Sequence, residues 1–248
     1  MRKWWLESVR NAPSEEAHRR LARSNAHTAV PIETVEAVPA GDADGEPWSL
    51  DERFLEEAHH TQYGRPWILG RYMFDFLVET GLRPEHRLCD FGCGALRLGV
   101  WAIPYLVAGH YFGIDSHLES LEAAAAYEIP LHALEVKRPR LLWSQDFAFS
   151  HFGVQFDRVV DFSSSQKVDP PELPRLFGEL VASLASGGRF LTAPRLSAPL
   201  ESYAEWGLTL VREVEQDTPA LRGHDFPSAT TWWEFERTLE AGSDSKGV

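Results

Sequence analysis

Cysteine is nearly missing from this 248-residue chain; Cys89 and Cys93 are the two present. With no others to pair or to complete a tetrahedral set, neither a disulfide framework nor a zinc site is available, and ordinary buried thiols are expected. No apolar run approaches the roughly eighteen residues of a membrane span. The opening Met1-Arg2-Lys3-Trp4-Trp5-Leu6-Glu7 lacks the hydrophobic stretch of a secretory signal, so a cytoplasmic protein without membrane contact is expected. Basic charge is also short, with 24 Lys and Arg against 37 Asp and Glu and a formal charge of −13. Phosphate binding draws much of its affinity from clustered Lys and Arg, which argues against a nucleic-acid substrate.

Apolar residues are plentiful, at 44%, and the length suits one large α/β domain with an appendage. Charge is uneven. Residues 1–30 carry six basic side chains against three acidic, and residues 31–60 carry one against nine. Residues 2–10 and 14–24 have helical composition. From Asn25 to Trp48 the chain turns to Pro, Ala, Gly and Asp, the composition of a flexible linker. Ser49 with Glu52 forms a capping-box pattern, and a further helix is expected from Pro66 to Thr80, stopping at Gly81.

The stretch from Arg87 to Asp115 organises the rest. Leu88-Cys89 is a short apolar strand closed by Asp90, and Phe91-Gly92-Cys93-Gly94 is a glycine turn. A helix is expected over Ala95–Leu106, and a second strand, His110–Ile114, ends at Asp115. Such a turn lets backbone approach a ligand, and free N–H groups at the following helix start can hold an anionic end. Asp115 falls 21 positions after Gly94, about where a ribose-binding acid sits in nucleotide folds. The dinucleotide fingerprint would need glycine at Arg97, and that glycine is absent. An acid just before the turn, Asp90, suits a cationic amine and would repel a pyrophosphate, so an adenosine ligand with an amino-acid head group is favoured.

Strand and helix patterns then alternate, as expected for a doubly wound, mostly parallel sheet. Ser116 with Glu119 is a capping box for a helix through Tyr127. Strands are expected at Arg140–Trp143, Phe156–Phe162 and Arg189–Thr192, with a helix over Pro171–Leu184 and a turn at Ser186-Gly187-Gly188. A helix over Leu200–Trp206, a strand over Leu208–Val214 and a last strand near Thr230–Arg237 complete the pattern.

Asp90, Gly92, Gly94 and Asp115, taken in order, resemble motif I and the following acid of the class I S-adenosylmethionine-dependent methyltransferases. The likeness is nearest to a branch of that superfamily reading GCG-small-LR and YFGID. It runs from about Gly81 to about Gly188 and more faintly to the C-terminus; Leu96 departs from it, standing where the broader family has a third glycine.

The resemblance implies a Rossmann-like seven-stranded sheet, with the last two strands an antiparallel hairpin, over residues 81–241. Residues 1–80 would form an N-terminal helical arm and cap, with a linker near 25–48, and residues 242–248 a disordered tail. It implies S-adenosylmethionine as cofactor. Asp90 would take the methionyl ammonium, and Gly92, Cys93 and Gly94 would turn beneath it. Asp115 and Ser116 would lie at the ribose, Asp146 and Phe147 at the adenine, and Asp161 at the strand-four exit. A nucleotide-fold turn that has lost its ligand is the alternative.

Methyl transfer needs chiefly orientation, and a hydroxyl acceptor would also need a base. Relatives often carry an aromatic-Thr-His segment after strand four. Here that register reads Ser165-Gln166-Lys167, so no base is carried over from it. His60 and His59 are the candidate bases, and Tyr63 and Trp67 the candidate acceptor contacts. The acidity favours a small-molecule acceptor; a basic protein or peptide side chain and a non-catalytic scaffold are the alternatives, and a homodimer is left open.

Overall fold

Residues 66–217 and 229–238 are described by the structure, a computed structural model. The first described element, α1 (Pro66–Glu79), is amphipathic, and it buries Leu69, Met73, Phe76 and Leu77 against one face of a sheet. It approaches the turn after the first strand so closely that a Cβ at Gly70 would overlap the Arg97 carbonyl. Phe76 stacks on Trp232 with ring centroids 4.5 Å apart. The sheet core thus takes in a helix that the sequence assigns to the N-terminal arm.

Seven strands follow: β1 (Leu88–Phe91), β2 (Tyr111–Asp115), β3 (Arg140–Trp143), β4 (Phe156–Phe162), β5 (Leu184–Ala193), β6 (Leu208–Asp217) and β7 (Ala229–Arg237). Their spatial order is β3-β2-β1-β4-β5-β7-β6. The first five are parallel, while β7 runs antiparallel to both β5 and β6. This is the doubly wound, mostly parallel seven-stranded sheet that the alternating pattern predicts, with the expected terminal hairpin.

Both faces are covered. On one, α1, α2 (Gly99–Tyr105) and the helix opened by α3 (Leu118–Ala123) pack over Leu88, Tyr111, Leu141 and Val160. On the other, α4 (Leu173–Ser183) and α5 (Leu200–Glu205) pack over Cys89, Phe112, Val159 and Phe190. Alternation along β1 sends Leu88 and Asp90 to the first face and Cys89 and Phe91 to the second. Order reverses between β1 and β4, so a crevice is expected beyond the carboxyl ends of those strands. No helix among the described residues is long and apolar enough to cross a membrane.

Several boundaries differ from the sequence pattern. The helix expected from Ala95 begins at Gly99 instead. Leu96, fully buried, adopts φ +64°, and its N–H donates to Cys93 O at 3.0 Å, so the chain makes an extra turn before becoming helical. The second strand starts one residue later than expected and includes Asp115. The helix expected to be capped by Ser116 starts one residue later. His117 is the N-cap, without a side-chain cap bond, and its Nδ1 lies 2.8 Å from Ser120 Oγ. The same helix widens to π geometry over Ala124–Glu128 before a last α turn at Ile129–Leu131. β5 begins at Leu184, and a register break opposite Phe156 and Arg158 absorbs the Ser186-Gly187-Gly188 turn.

Candidate functional site

The glycine turn is closed onto β2. Gly92 N–H and Cys93 N–H both donate to Ile114 O, at 2.8 and 3.3 Å. Gly94 N–H donates to Asp115 Oδ2 at 2.8 Å, while Asp115 Oδ1 accepts from His117 N–H at 2.8 Å. The expected ribose acid therefore already clips the turn to the start of α3. Each carboxylate oxygen keeps a second lone pair, so this clip does not use up its accepting capacity.

The same geometry corrects the anion-binding expectation. The helix start lies five residues beyond Gly94, and the N–H groups of Gly92, Cys93 and Gly94 are engaged within the chain. Cys93 is buried with its Sγ packed over the strand position of Gly113. Burial pushes both thiols, Cys89 and Cys93, well above the ordinary cysteine range, which makes them unreactive packing groups.

Asp90 is the unusual member. It is 3% exposed, at the penultimate position of β1, and among the described residues its side chain accepts one hydrogen bond, from Tyr111 Oη at 2.7 Å. Burial raises its pKa to about 7; the Tyr111 bond opposes that, the charge of Asp115 adds to it, Arg97 opposes it and Asp161 adds to it. A buried carboxylate with so little compensation has the chemistry of a cation's counter-charge.

Past β2, the ends of the strands are knitted together. Trp143 Nε1 donates to Ser116 O at 3.0 Å, and Ser144 N–H donates to Asp115 O at 2.9 Å. Ser144 Oγ donates to Asp146 Oδ1 at 2.7 Å and leaves that carboxylate exposed beyond β3, where an amino group of a ligand could reach it. Ser116 is exposed beside it. Phe147 is half-buried at φ +60°, edge-on to Phe91 at 6.2 Å and beneath the Arg175 guanidinium at 5.3 Å, so the ring expected against adenine is already engaged within the protein.

Asp161, at the strand-four exit, has its carboxylate engaged within the protein. It is fully buried, accepting from Ser164 N–H at 2.8 Å, Ser165 N–H at 3.2 Å, Thr192 Oγ1 at 3.1 Å and the Ser165 hydroxyl. Burial raises its pKa despite these donors. It ties the β4 exit to β5 and holds Ser163, at φ +68°, and Ser164 in place. That exit meets the glycine turn directly, because a Cβ on Gly92 would overlap Ser164 Oγ and Cβ.

His59, His60 and Tyr63 lie outside the described residues, and of Trp67 only the backbone, in α1, lies within them. Two residues that matter here went unremarked in the sequence, Tyr111 and Ser164. For Tyr111 a signal exists: it shares strand parity with Gly113 and Asp115, and so faces the side of Asp90. Ser164 had none, since its contact depends on how two loops meet.

No protein-family model matches the chain. Its fold is shared with solved structures at low sequence identity. The TehB-like SAM-dependent methyltransferase of Corynebacterium glutamicum is 16% identical over 68% of this chain and 88% of that one, with a TM-score of 0.50. The glycopeptide N-methyltransferase MtfA, solved with S-adenosyl-L-methionine, is 13% identical over 68% and 94%, with a TM-score of 0.52. TrmN of Thermus thermophilus is 18% identical over 75% of this chain and 53% of that one, with a TM-score of 0.53. The seven-stranded sheet is thus the Rossmann-like fold of class I methyltransferases.

Proposed function

We propose that this chain is an S-adenosylmethionine-dependent methyltransferase of the GCG-small-LR branch, moving a methyl group to an O or N atom of a small-molecule acceptor. The observation that carries this reading is the buried, under-compensated carboxylate of Asp90 at the switch point of the sheet, across the glycine turn from Asp115. An amino-acid ammonium supplies the charge that Asp90 lacks, and a pyrophosphate would worsen its position. MtfA, which shares the fold, is solved with this cofactor.

In this reading Asp90 holds the ammonium, Asp115 accepts from the ribose hydroxyls through its remaining lone pairs, and Asp146, with Ser116 beside it, lies where the adenine amino group would be. Gly92, Cys93 and Gly94 shape the floor by lacking bulk or by pointing into the core. Asp161 and Phe147 stiffen the rim. S-adenosylmethionine supplies, when bound, a methyl group already activated by the sulfonium charge. The chain's own contribution is orientation, which is worth an effective concentration on the order of 10⁵ M or more. His60 and His59 are the proposed bases for a hydroxyl acceptor, with Tyr63 and Trp67 as acceptor contacts. A formal charge of −13 supports a small acceptor over nucleic acid.

Thermal unfolding with S-adenosylmethionine, S-adenosylhomocysteine and NAD tests the cofactor. Both sulfur ligands should stabilise the chain by ~2.7 kcal/mol at a hundredfold excess over Kd. Stabilisation by NAD alone would reject the proposal. Asp115→Ala should abolish the response to both ligands and, because the carboxylate also holds Gly94 and His117, lower the ligand-free stability by roughly 1–3 kcal/mol. An unchanged ligand response in that variant would show that the ribose contact lies elsewhere.

A further inference from the structure

The hydroxyl of Tyr111 sits where β1, β2 and the start of α2 meet. Tyr111 opens β2, is 2% exposed, and donates to Asp90 Oδ2 at 2.7 Å. In the strand register Asp90 lies opposite Gly113, which offers no side chain; the space over that glycine is filled by Cys93 and Leu141, and Tyr111, two residues back, reaches the carboxylate itself. Room for the hydroxyl is kept by Gly99, the first residue of α2. A Cβ there would stand 2.9 Å from Tyr111 Oη, and 2.7 and 2.9 Å from two atoms of the Leu96 side chain. The late start of the helix and the left-handed turn at Leu96 thus leave a slot for this one polar atom.

We propose that Tyr111 is a positioning residue of the cofactor site: by engaging one carboxylate oxygen of Asp90 it orients the other for the ammonium and sets the pH range over which the cofactor binds. This rests on the reading of the crevice as an S-adenosylmethionine site.

The surrounding charges give the direction. Burial holds the Asp90 carboxyl at about 7, well above its ordinary range; Tyr111 and Arg97 favour its ionised form, and Asp115 and Asp161 oppose it. Tyr111 is itself pushed well above the usual phenol range by burial and by Asp90, so it remains a donor throughout. The neighbouring thiols Cys89 and Cys93 are pushed up and stay neutral. On the helices that cover this face, Arg71 pairs with Asp75 at 2.7 Å, and Tyr105 donates to Leu82 O at 3.0 Å. Among the groups in contact with the Tyr111 hydroxyl, Asp90 is therefore the one that changes charge near neutrality. An ammonium binds the ionised form, so binding displaces a proton from Asp90 to solvent, and affinity rises with pH.

Calorimetric titration of the full chain with S-adenosylhomocysteine, which carries the same ammonium, tests this. Two buffers of different protonation enthalpy count the protons released. Affinity should rise about tenfold between about pH 5.5 and 7, a window below ordinary α-amino titration, with release of about half a proton near pH 7. In Tyr111→Phe the rise should move to higher pH, with affinity roughly tenfold weaker at pH 7 and partly recovered as the pH is raised. A merely structural tyrosine would weaken binding by the same factor at every pH. A flat wild-type profile without proton release, or a Tyr111→Phe profile parallel to wild type, overturns the positioning role and leaves the cofactor reading standing. Absence of wild-type binding at every pH overturns both. Should Tyr111→Phe not fold, a wild-type chain that binds without releasing a proton still overturns the proposal.

Discussion

Asp90→Asn should make the ligand-free chain more stable at pH 8 and eliminate its response to S-adenosylmethionine. The carboxyl is held at about 7 in the fold against an ordinary 3.8. Between those values the native state keeps a proton that the unfolded chain has lost, so wild-type stability falls as pH rises through that window. An asparagine never ionises, and its carbonyl can still accept from Tyr111. The stability gap should therefore open from about pH 4, level off above about pH 7, and reach about 2–4 kcal/mol. The same substitution removes the only charge at that position, so the ammonium loses its counter-ion. Chemical denaturation at pH 5 and pH 8 measures the gap. An Asn variant less stable than wild type at pH 8 would show that the ligand-free carboxylate is already compensated. A gain in stability coupled to a loss of binding is the expected pattern for a residue kept for its ligand.

Gly92→Ala should be the most damaging single-methyl addition in the crevice. Gly92 sits at φ +77°, and the added Cβ would overlap Ser164 Oγ and Cβ. Left-handed strain costs roughly 1–2 kcal/mol and overpacking roughly 1–3 more, so the stability loss should be about 2–5 kcal/mol. Ligand response should fall with it, since the turn can make room only by moving away from the β4 exit. Pairing it with Ser164→Gly removes the overlap but leaves the backbone strain, so the double variant should regain part of the loss. Equal stability of Gly92→Ala and wild type in urea would mean that the two loops do not meet as described.

Those two expectations draw unequally on the sequence. Asp90 and the glycines could be picked out from their order along the chain, and strand boundaries fell within a few residues because short apolar runs bounded by turn residues have few alternatives. The start of α2 was not legible: Leu96 and Arg97 are good helix formers, and nothing local says that a leucine will take a left-handed conformation. That choice comes from outside the segment. A buried slot for Leu96 and the close pass of α1 at Gly70 outweigh the roughly 1–2 kcal/mol that a left-handed leucine costs. Asp161 looked like another crevice acid for a related reason. Its place at the end of a strand could be read, but not the four donors gathered around it from the loop and from β5.

Strand succession, the glycine turn and the address of each acid at a strand's carboxyl end follow from patterns spanning a few neighbouring residues, and the chain carries them in its order alone. What each acid does depends on atoms brought from far along that order: Tyr111 to Asp90, Gly94 and His117 to Asp115, Thr192 to Asp161. Folding decided these partnerships, because the charge state of a carboxylate is set by the water it loses and the donors it gains within a few ångströms, and neither is a property of its neighbours in sequence.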